Sequence, residues 1–188
     1  MVPLADLDAE ALRLGRVRRH RGSGTWSARF VLGPGPDGEE ALSHVEDLAV
    51  CMGRAGGLDP DGAVFVGVAL REAVVNAFRH GRSTDGAPTR IGLHLTYDSL
   101  VITVRDRGPG IPDYATGRLF EKFYSTPRPG GRKGTGLGLS IVYSIVKRLG
   151  GTISVQSEPG TGTDFTIVLP YTPPKELRES LAEGHAKT

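Results

Sequence analysis

The sequence has few of the features that mark secreted, membrane or nucleic-acid-binding proteins. Cys51 is its one cysteine, so no disulfide can form within the chain. No apolar run approaches the ~18 residues of a membrane span, and the N-terminus has no apolar signal core. The charges nearly cancel, at 23 basic and 21 acidic residues, so no overall field demands nucleic acid or membrane as a partner. We therefore expect a cytoplasmic protein, with 188 residues for one domain and its tails.

Glycine is the residue in excess. The chain has 27 glycines, which show no fixed period, and many of them fall between Gly108 and Gly162. Clustered glycines indicate a backbone that turns tightly or approaches another group closely. This part of the chain is therefore where we expect a binding site.

Apolar periodicity and turn residues predict an order of strands and helices along the chain. Because the strands come in adjacent pairs, they favour an α+β fold, a two-layer α/β sandwich whose mixed, mostly antiparallel sheet is covered by helices on one face. Asp59 is the predicted N-cap of the second helix. The predicted elements are a strand over 26–32, helices over 38–54 and from about 60 to 80, strands over 89–96 and 100–105, a short helix within 113–123, a helix over 137–149 and strands over 152–157 and 163–169.

The two ends of the chain differ in composition from its middle. Residues 1–24 are predicted to be a flexible, arginine-rich arm, 25–171 the folded domain, and 172–188 a polar tail. The arm could bind nucleic acid or a partner, but its composition favours a solvated, frayed helix. We therefore do not expect nucleic acid as a partner.

A polar stripe follows the second predicted helix. Glu72, Asn76, Arg79 and His80 fall within about 100° of arc at helical spacing. Helical periodicity alone describes the solvent face of an amphipathic helix. The alternative is that Glu72 and Asn76, one turn apart, face a ligand, because amide and carboxylate oxygens suit Mg²⁺ and a carboxylate can act on an attacking hydroxyl.

Two glycine-rich loops carry the remaining chemistry. In Asp106 to Ile111 (DRGPGI), a carboxylate at a strand end could accept a hydrogen bond from a base amino group, or the segment could be an ordinary turn. In Gly134 to Ser140 (GTGLGLS), preceded by Arg132 and Lys133, glycines lead into a helix. Free N–H groups at a helix N-terminus bind phosphate. The spacing matches neither a Walker A loop nor a Rossmann fingerprint, and a lid without a ligand is the alternative.

Five segments between about residues 40 and 170 together resemble the motifs of the GHKL (Bergerat-fold) ATPases. They are Glu72 to Gly81 (N box), Asp106 to Gly110 (G1), Leu119 to Tyr124 (F box), Gly134 to Leu139 (G2) and Gly160 to Phe165 (the last glycine box). The resemblance implies ATP and Mg²⁺ as cofactors.

The same resemblance implies a role for each matching residue. Asn76 would be the Mg²⁺ ligand, and Glu72 the catalytic base of the serine-kinase branch. Asp106 would bind the adenine amino group, with Thr163 beside it through water. The remaining residues predicted to bind nucleotide are Arg79 and His80 of the N box; Gly108, Gly110 and Ile111 of the first loop; Arg132 and Lys133 near the phosphates; and Gly134, Thr135, Gly136, Leu137, Gly138 and Leu139, which would form a mobile lid.

The two halves of the match resemble different branches of the family. Residues 113–170 resemble sensor histidine kinases, and the first half resembles anti-sigma serine kinases. No histidine lies in a convincing phosphoacceptor context, whether His20, His44, His94 or His185. We therefore expect a kinase that phosphorylates a separate protein on serine or histidine, or alternatively a non-catalytic, ATP-gated switch that sequesters a sigma factor. The expected partners are a sigma factor, an anti-anti-sigma protein or another phosphoacceptor protein, and the resemblance to the anti-sigma kinases implies a homodimer.

Overall fold

The computed structural model describes residues 25–81, 86–125 and 135–171, together with the backbone of residues 15–19. Within these ranges the chain forms six strands and four helices. They are β1 (Gly15–Arg19), β2 (Trp26–Leu32), α1 (Pro36–Gly56), α2 (Pro60–His80), β3 (Thr89–Leu95), β4 (Ser99–Asp106), α3 (Asp113–Thr116), α4 (Gly138–Arg148), β5 (Thr152–Glu158) and β6 (Gly162–Pro170).

The six strands form one sheet in the order β1-β2-β3-β4-β6-β5. Every neighbouring pair of these described strands is antiparallel. The prediction of a mostly antiparallel sheet therefore holds, but no described pair is parallel, as a mixed sheet would require. Apolar residues alternate along the strands, with Ile91, Leu93 and Leu95 buried on one face of β3. This period of two leaves one face for the core and one that no described helix covers, and the predicted α+β sandwich is confirmed.

The helices cover the apolar face of the sheet. Leu42, Val45 and Leu48 of α1, and Leu70 and Val74 of α2, are fully buried. Each such aliphatic side chain contributes roughly 1.5–3 kcal/mol when it leaves water. At the start of α2 the Asp59 carboxylate accepts a hydrogen bond from the Gly62 N–H (2.7 Å), which confirms the predicted N-cap.

The strand β1 corrects part of the prediction for the N-terminal arm. Residues 15–19 are not a frayed helix but an edge strand, with Gly15 opposite Phe30 and Arg19 opposite Trp26. The short sequence Arg-Val-Arg alternates with the period of a strand, and β2 supplies the free edge for its hydrogen bonds. The rest of residues 1–24 and all of 172–188 lie outside the described residues, so the division into arm, domain and tail stays a prediction.

Tyr171, the residue after β6, joins three elements at one end of the sheet. Its hydroxyl donates to the carbonyl of Thr96, and its N–H donates to the carbonyl of Asp98 (2.9 Å), both in the β3–β4 turn. Its ring lies on Gly56, where a Cβ would be only 2.6 Å from Cε1 of the ring. Burial raises the pKa of Tyr171 to about 12. The last turn of α1 is thus packed against the end of the sheet.

Candidate functional site

The polar stripe on α2 divides into two parts. Arg79 and His80 are exposed near the end of the helix, as the solvent-face interpretation requires. Glu72 and Asn76 are only half-exposed, between residues that belong to the core. Among the described residues, no hydrogen bond engages the Asn76 amide. Its oxygen is therefore available to a ligand such as Mg²⁺.

The Glu72 carboxylate lies against the beginning of α4. A Cβ on Gly138, the first residue of α4, would be 2.8 Å from Oε2 of Glu72. Leu137 is the N-cap residue of α4, and its apolar side chain accepts no hydrogen bond. The N–H groups in the first turn of α4 therefore lack the acceptor that a capping side chain would provide. A carboxylate and a helix N-terminus with free donors therefore meet at one point, which combines a group for proton chemistry with one for binding anions.

Asp106 is a buried carboxylate at the end of β4. It is 6% exposed, and its Oδ1 accepts a hydrogen bond from the Gly108 N–H (2.9 Å). Burial raises its pKa, an effect that hydrogen bonds from the backbone of Gly108 and Thr163 partly offset. None of the basic side chains in the described ranges forms an ion pair with it. The carboxylate thus keeps acceptor capacity for a donor from a ligand.

Two glycines form the wall beside this carboxylate. A Cβ on Gly81, just after α2, would be 2.5 Å from Oδ2 of Asp106, and a Cβ on Gly108 would be 2.5 Å from Cα of Gly81. Real Cβ atoms do not come so close to other heavy atoms, so both positions require glycine. Gly108 was predicted to let the chain pass a base, and the structure adds a packing reason for the same residue.

A hydroxyl group that the sequence analysis missed joins the loop after Asp106 to the β5–β6 hairpin. Thr163 is buried opposite Asp106 in the strand register, and its hydroxyl lies 3.0 Å from Oγ of Ser157. Oγ of Ser157 also accepts a hydrogen bond from the Ile111 N–H (2.8 Å). Gly110 approaches the same hairpin, where a Cβ would be 2.7 Å from the carbonyl carbon of Glu158. The sequence feature that could have identified Ser157 is its position at the end of a predicted strand, two residues before the proline of the turn.

The described end of the second glycine loop is joined to the F-box segment. The N–H of Phe123 donates to the carbonyl of Gly136 (3.0 Å), and a Cβ on Gly136 would be 2.5 Å from the carbonyl carbon of Phe123. Phe123 itself has φ 65°, a conformation that costs a non-glycine residue roughly 1–2 kcal/mol. Thr135 is exposed, and Leu137 and Leu139 are half-buried. Arg132, Lys133 and Gly134 lie outside the described residues.

Fold and site together define an ATPase domain of the kind found in histidine kinases. Residues 62–173 match the family described as histidine kinase-, DNA gyrase B- and HSP90-like ATPase. Because the match covers more than half of the chain, the chain belongs to this family. None of the described helices is long and apolar enough to cross a membrane.

Two similar proteins of known activity are sensor kinases. The chain is 38% identical over 149 residues to the sensor kinase CckA of Brucella abortus (strain 2308), which covers 76% of this chain and 15% of that protein. It is 40% identical over 104 residues to the sensor histidine kinase YcbM of Bacillus subtilis (strain 168), or 53% and 32% of the two chains. The chain thus spans a third or less of these relatives.

A solved structure also matches this chain. It is the mycobacterial sensor histidine kinase MprB, with a TM-score of 0.53, 26% identity, and coverage of 71% of this chain and 97% of that chain. The structural match therefore extends beyond the short motifs to the arrangement of the sheet and helices.

Proposed function

We propose that the domain binds Mg²⁺ and ATP between α2, the loop after Asp106 and the start of α4, and that it phosphorylates a histidine on a separate protein segment. The observation that carries the proposal is the buried Asp106 carboxylate, which is walled by glycines and keeps acceptor capacity for a ligand donor. Membership of the ATPase family and the sensor histidine kinases among the relatives support it.

Asp106 fits the recognition of adenine. A carboxylate accepts a hydrogen bond from the amino group of adenine, whereas guanine presents a carbonyl at the corresponding position. The hydroxyls of Thr163 and Ser157, next to Asp106 on the neighbouring strands, can hold a water beside the base. The proposed site therefore prefers ATP to GTP.

The phosphate end of the nucleotide fits the other side of the site. The uncapped start of α4 offers N–H donors, and the Asn76 amide oxygen suits Mg²⁺, which keeps waters and phosphate oxygens as its other ligands. Exposed Arg79 can add positive charge. Arg132, Lys133 and Gly134 are proposed to contact the phosphates, with His80 nearby. Bound Mg-ATP supplies the phosphoryl group and most of the charge neutralisation that its transfer requires.

Glu72 is the proposed catalytic residue. Its carboxylate lies at the start of α4, where the phosphates are proposed to bind. From there it can accept a hydrogen bond from one nitrogen of an acceptor imidazole and so keep the other nitrogen free to attack. With a serine acceptor it would instead take the hydroxyl proton.

The serine branch remains the alternative because the first half of the chain resembles anti-sigma serine kinases. A sigma factor, an anti-anti-sigma protein or a histidine-bearing phosphoacceptor are the partners that the two branches imply, and a homodimer fits either. Light scattering on the purified chain measures its oligomeric state. Because the relatives compared are sensor kinases, the histidine branch is the one we propose.

Nucleotide titration tests the pocket. Calorimetry with Mg²⁺ should detect ATP binding to the wild type, and Asp106→Asn should weaken that binding at least about tenfold, as expected for loss of a hydrogen bond to a charged group. Asp47→Asn is the control, since Asp47 is an exposed carboxylate on α1 and is not among the groups that shift the pKa of Asp106. Equal ATP affinity in Asp106→Asn and wild type, with both variants folded by circular dichroism, would mean that the base is bound elsewhere.

Phosphotransfer tests the reaction. Incubation with γ-labelled ATP and histidine-bearing domains of sensor kinases should produce an acid-labile phosphate, and Glu72→Ala should abolish the transfer without loss of ATP binding. Acid-stable label would favour the serine branch. If nucleotide-dependent capture of a partner survives in Glu72→Ala and no label is transferred, the protein is the ATP-gated switch instead.

A further inference from the structure

The face of the sheet that no described helix covers carries a group of arginines. Arg90 of β3 lies directly opposite Arg105 of β4, and Arg29 of β2 lies one row away, opposite Gly92. Arg107 follows directly after β4. All four are exposed. Like charges in directly opposed positions destabilise a sheet unless an acidic neighbour compensates them.

Within the described part of the chain, Arg105 has an acidic partner and the other three arginines do not. Nε of Arg105 donates to Oδ1 of Asp164 (2.6 Å), and its Nη2 forms an ion pair with Oδ2 of the same residue. Among the described residues, neither Arg29, Arg90 nor Arg107 has a carboxylate within salt-bridge distance. Three guanidinium groups on one face therefore remain available to an anion from outside.

A cleft of about 470 Å³ opens among these side chains. Its charged walls come from Arg90, Arg105, Arg107, Glu158 and Asp164, and Asp106, Ser157 and Thr163 also line it. Arg90, Arg105, Asp164 and Gln156 form one continuous row across β3, β4, β6 and β5. The cleft therefore lies on the open face of the sheet, whereas the Asp106 carboxylate lies on the helix side against Gly81. The cleft thus borders the proposed nucleotide pocket along Asp106, Ser157 and Thr163, whereas its Arg90–Arg105 row lies on the opposite face of the sheet.

We propose that this cleft docks an acidic segment of a partner protein, with a carboxylate side chain held by Arg90 and Arg107 and flanking acidic residues beside Arg29. A guanidinium fork binds a carboxylate through two parallel hydrogen bonds, which suits arginine better than lysine. Glu158 and Asp164 in the same walls oppose a continuous phosphate backbone. Among the described residues that line the cleft, none is an aromatic on which a base could stack. A discrete acidic side chain fits this charge pattern better than a nucleic acid.

Fluorescence anisotropy with a labelled polyglutamate peptide tests the proposal on the full chain. The peptide should bind wild type, a polyglutamine peptide of the same length should not, and affinity should fall as salt is raised. Arg90→Gln and Arg107→Gln should each weaken binding about fivefold, as expected for one partly exposed charged contact. Arg54→Gln, an exposed arginine on α1, is the matched control and should leave binding unchanged.

Four results would overturn the proposal. Three of them are an unchanged affinity in Arg90→Gln, an equal loss in Arg54→Gln, and tighter binding of an oligothymidylate of the same length; the fourth is competition by Mg-ATP. Saturating Mg-ATP should leave peptide binding intact, and competition between the two would place the peptide in the nucleotide pocket instead. Because Arg90→Gln removes a like-charge opposition, its melting temperature should not fall, so lost peptide binding cannot be attributed to unfolding.

Discussion

Replacing Gly81 by alanine inserts one methyl group beside the carboxylate on which nucleotide recognition is proposed to depend. Gly81 has φ −93°, which alanine adopts freely, so the effect comes from packing rather than backbone strain. The new Cβ would be 2.2 Å from Cγ of Asp106, and an ordinary contact of 3.4 Å requires the carboxylate to move by roughly 1.2 Å. That shift also lengthens the hydrogen bond from Gly108, whose donor is now 2.9 Å away.

The expected cost of Gly81→Ala follows from these distances. Overpacking a buried site costs about 1–3 kcal/mol, and in a domain of this size each kcal/mol lowers the melting temperature by about 2–4 °C. ATP affinity should fall more than about tenfold, because a carboxylate displaced by this distance no longer meets the base at hydrogen-bond range.

Calorimetry and thermal melting of the same samples measure both effects, and Gly33→Ala is the matched control because a Cβ there meets no atom within 4 Å. Wild-type ATP affinity together with an unchanged melting temperature in Gly81→Ala would refute the reasoning. If Gly81→Ala melts far lower than expected, the milder Asp106→Asn variant decides the role of the carboxylate.

Three further predictions concern other parts of the structure. Gly138→Ala should slow phosphotransfer several-fold with little change in ATP affinity, since its Cβ would be 2.8 Å from Oε2 of Glu72; Gly117→Ala, where a Cβ meets nothing within 4 Å, is the control in the same radiolabel assay. Tyr171→Phe should lower the free energy of unfolding in urea by about 1 kcal/mol, because it deletes the hydroxyl that donates to the β3–β4 turn. Burial raises the pKa of Asp106, so ATP binding should weaken as the pH falls through a value above the ordinary 3.8, and Asp106→Asn should lack this component. The effect of pH on the stability of the free protein has the opposite direction. Burial disfavours the charged Asp106 carboxylate, so the wild type loses stability as the pH rises through the raised pKa of Asp106, and Asp106→Asn becomes more stable relative to it.

Most of the layer architecture could be predicted from local sequence. The Asp59-Pro60 pair and the apolar period of α2 specify a helix wherever it packs, and paired strands of alternating residues specify an antiparallel sheet. The strand at residues 15–19 could not be predicted, because its five residues gain strand structure only from pairing with β2. Local charge suggested a solvated helix there, and tertiary pairing overrode that preference.

The motif residues of the candidate site could be predicted from the sequence, but the contacts between them could not. Asp106 and Glu72 are recognisable from the motifs around them, although their roles stay predictions. The contacts of Glu72 with Gly138, and of Ser157 with Ile111, join segments more than forty residues apart in sequence. The arginine cleft was missed for a different reason: outward-facing strand residues indicate only a solvated face until the register shows that Arg90 and Arg105 stand opposite each other.

The hydrogen bonds between the β5–β6 hairpin and the loop after Asp106 have a consequence for protein engineering. The tip around Gly160 is exposed, and a Cβ there meets nothing, so it resembles a turn that tolerates inserted tags or spare residues. However, the Gly160 N–H donates a hydrogen bond to the carbonyl of Pro109 (2.8 Å), and Oγ of Ser157 accepts one from the Ile111 N–H. An insertion at this tip would therefore act on the wall of the proposed adenine site, and the length of the hairpin becomes a means of tuning nucleotide selectivity without altering any residue that contacts the base.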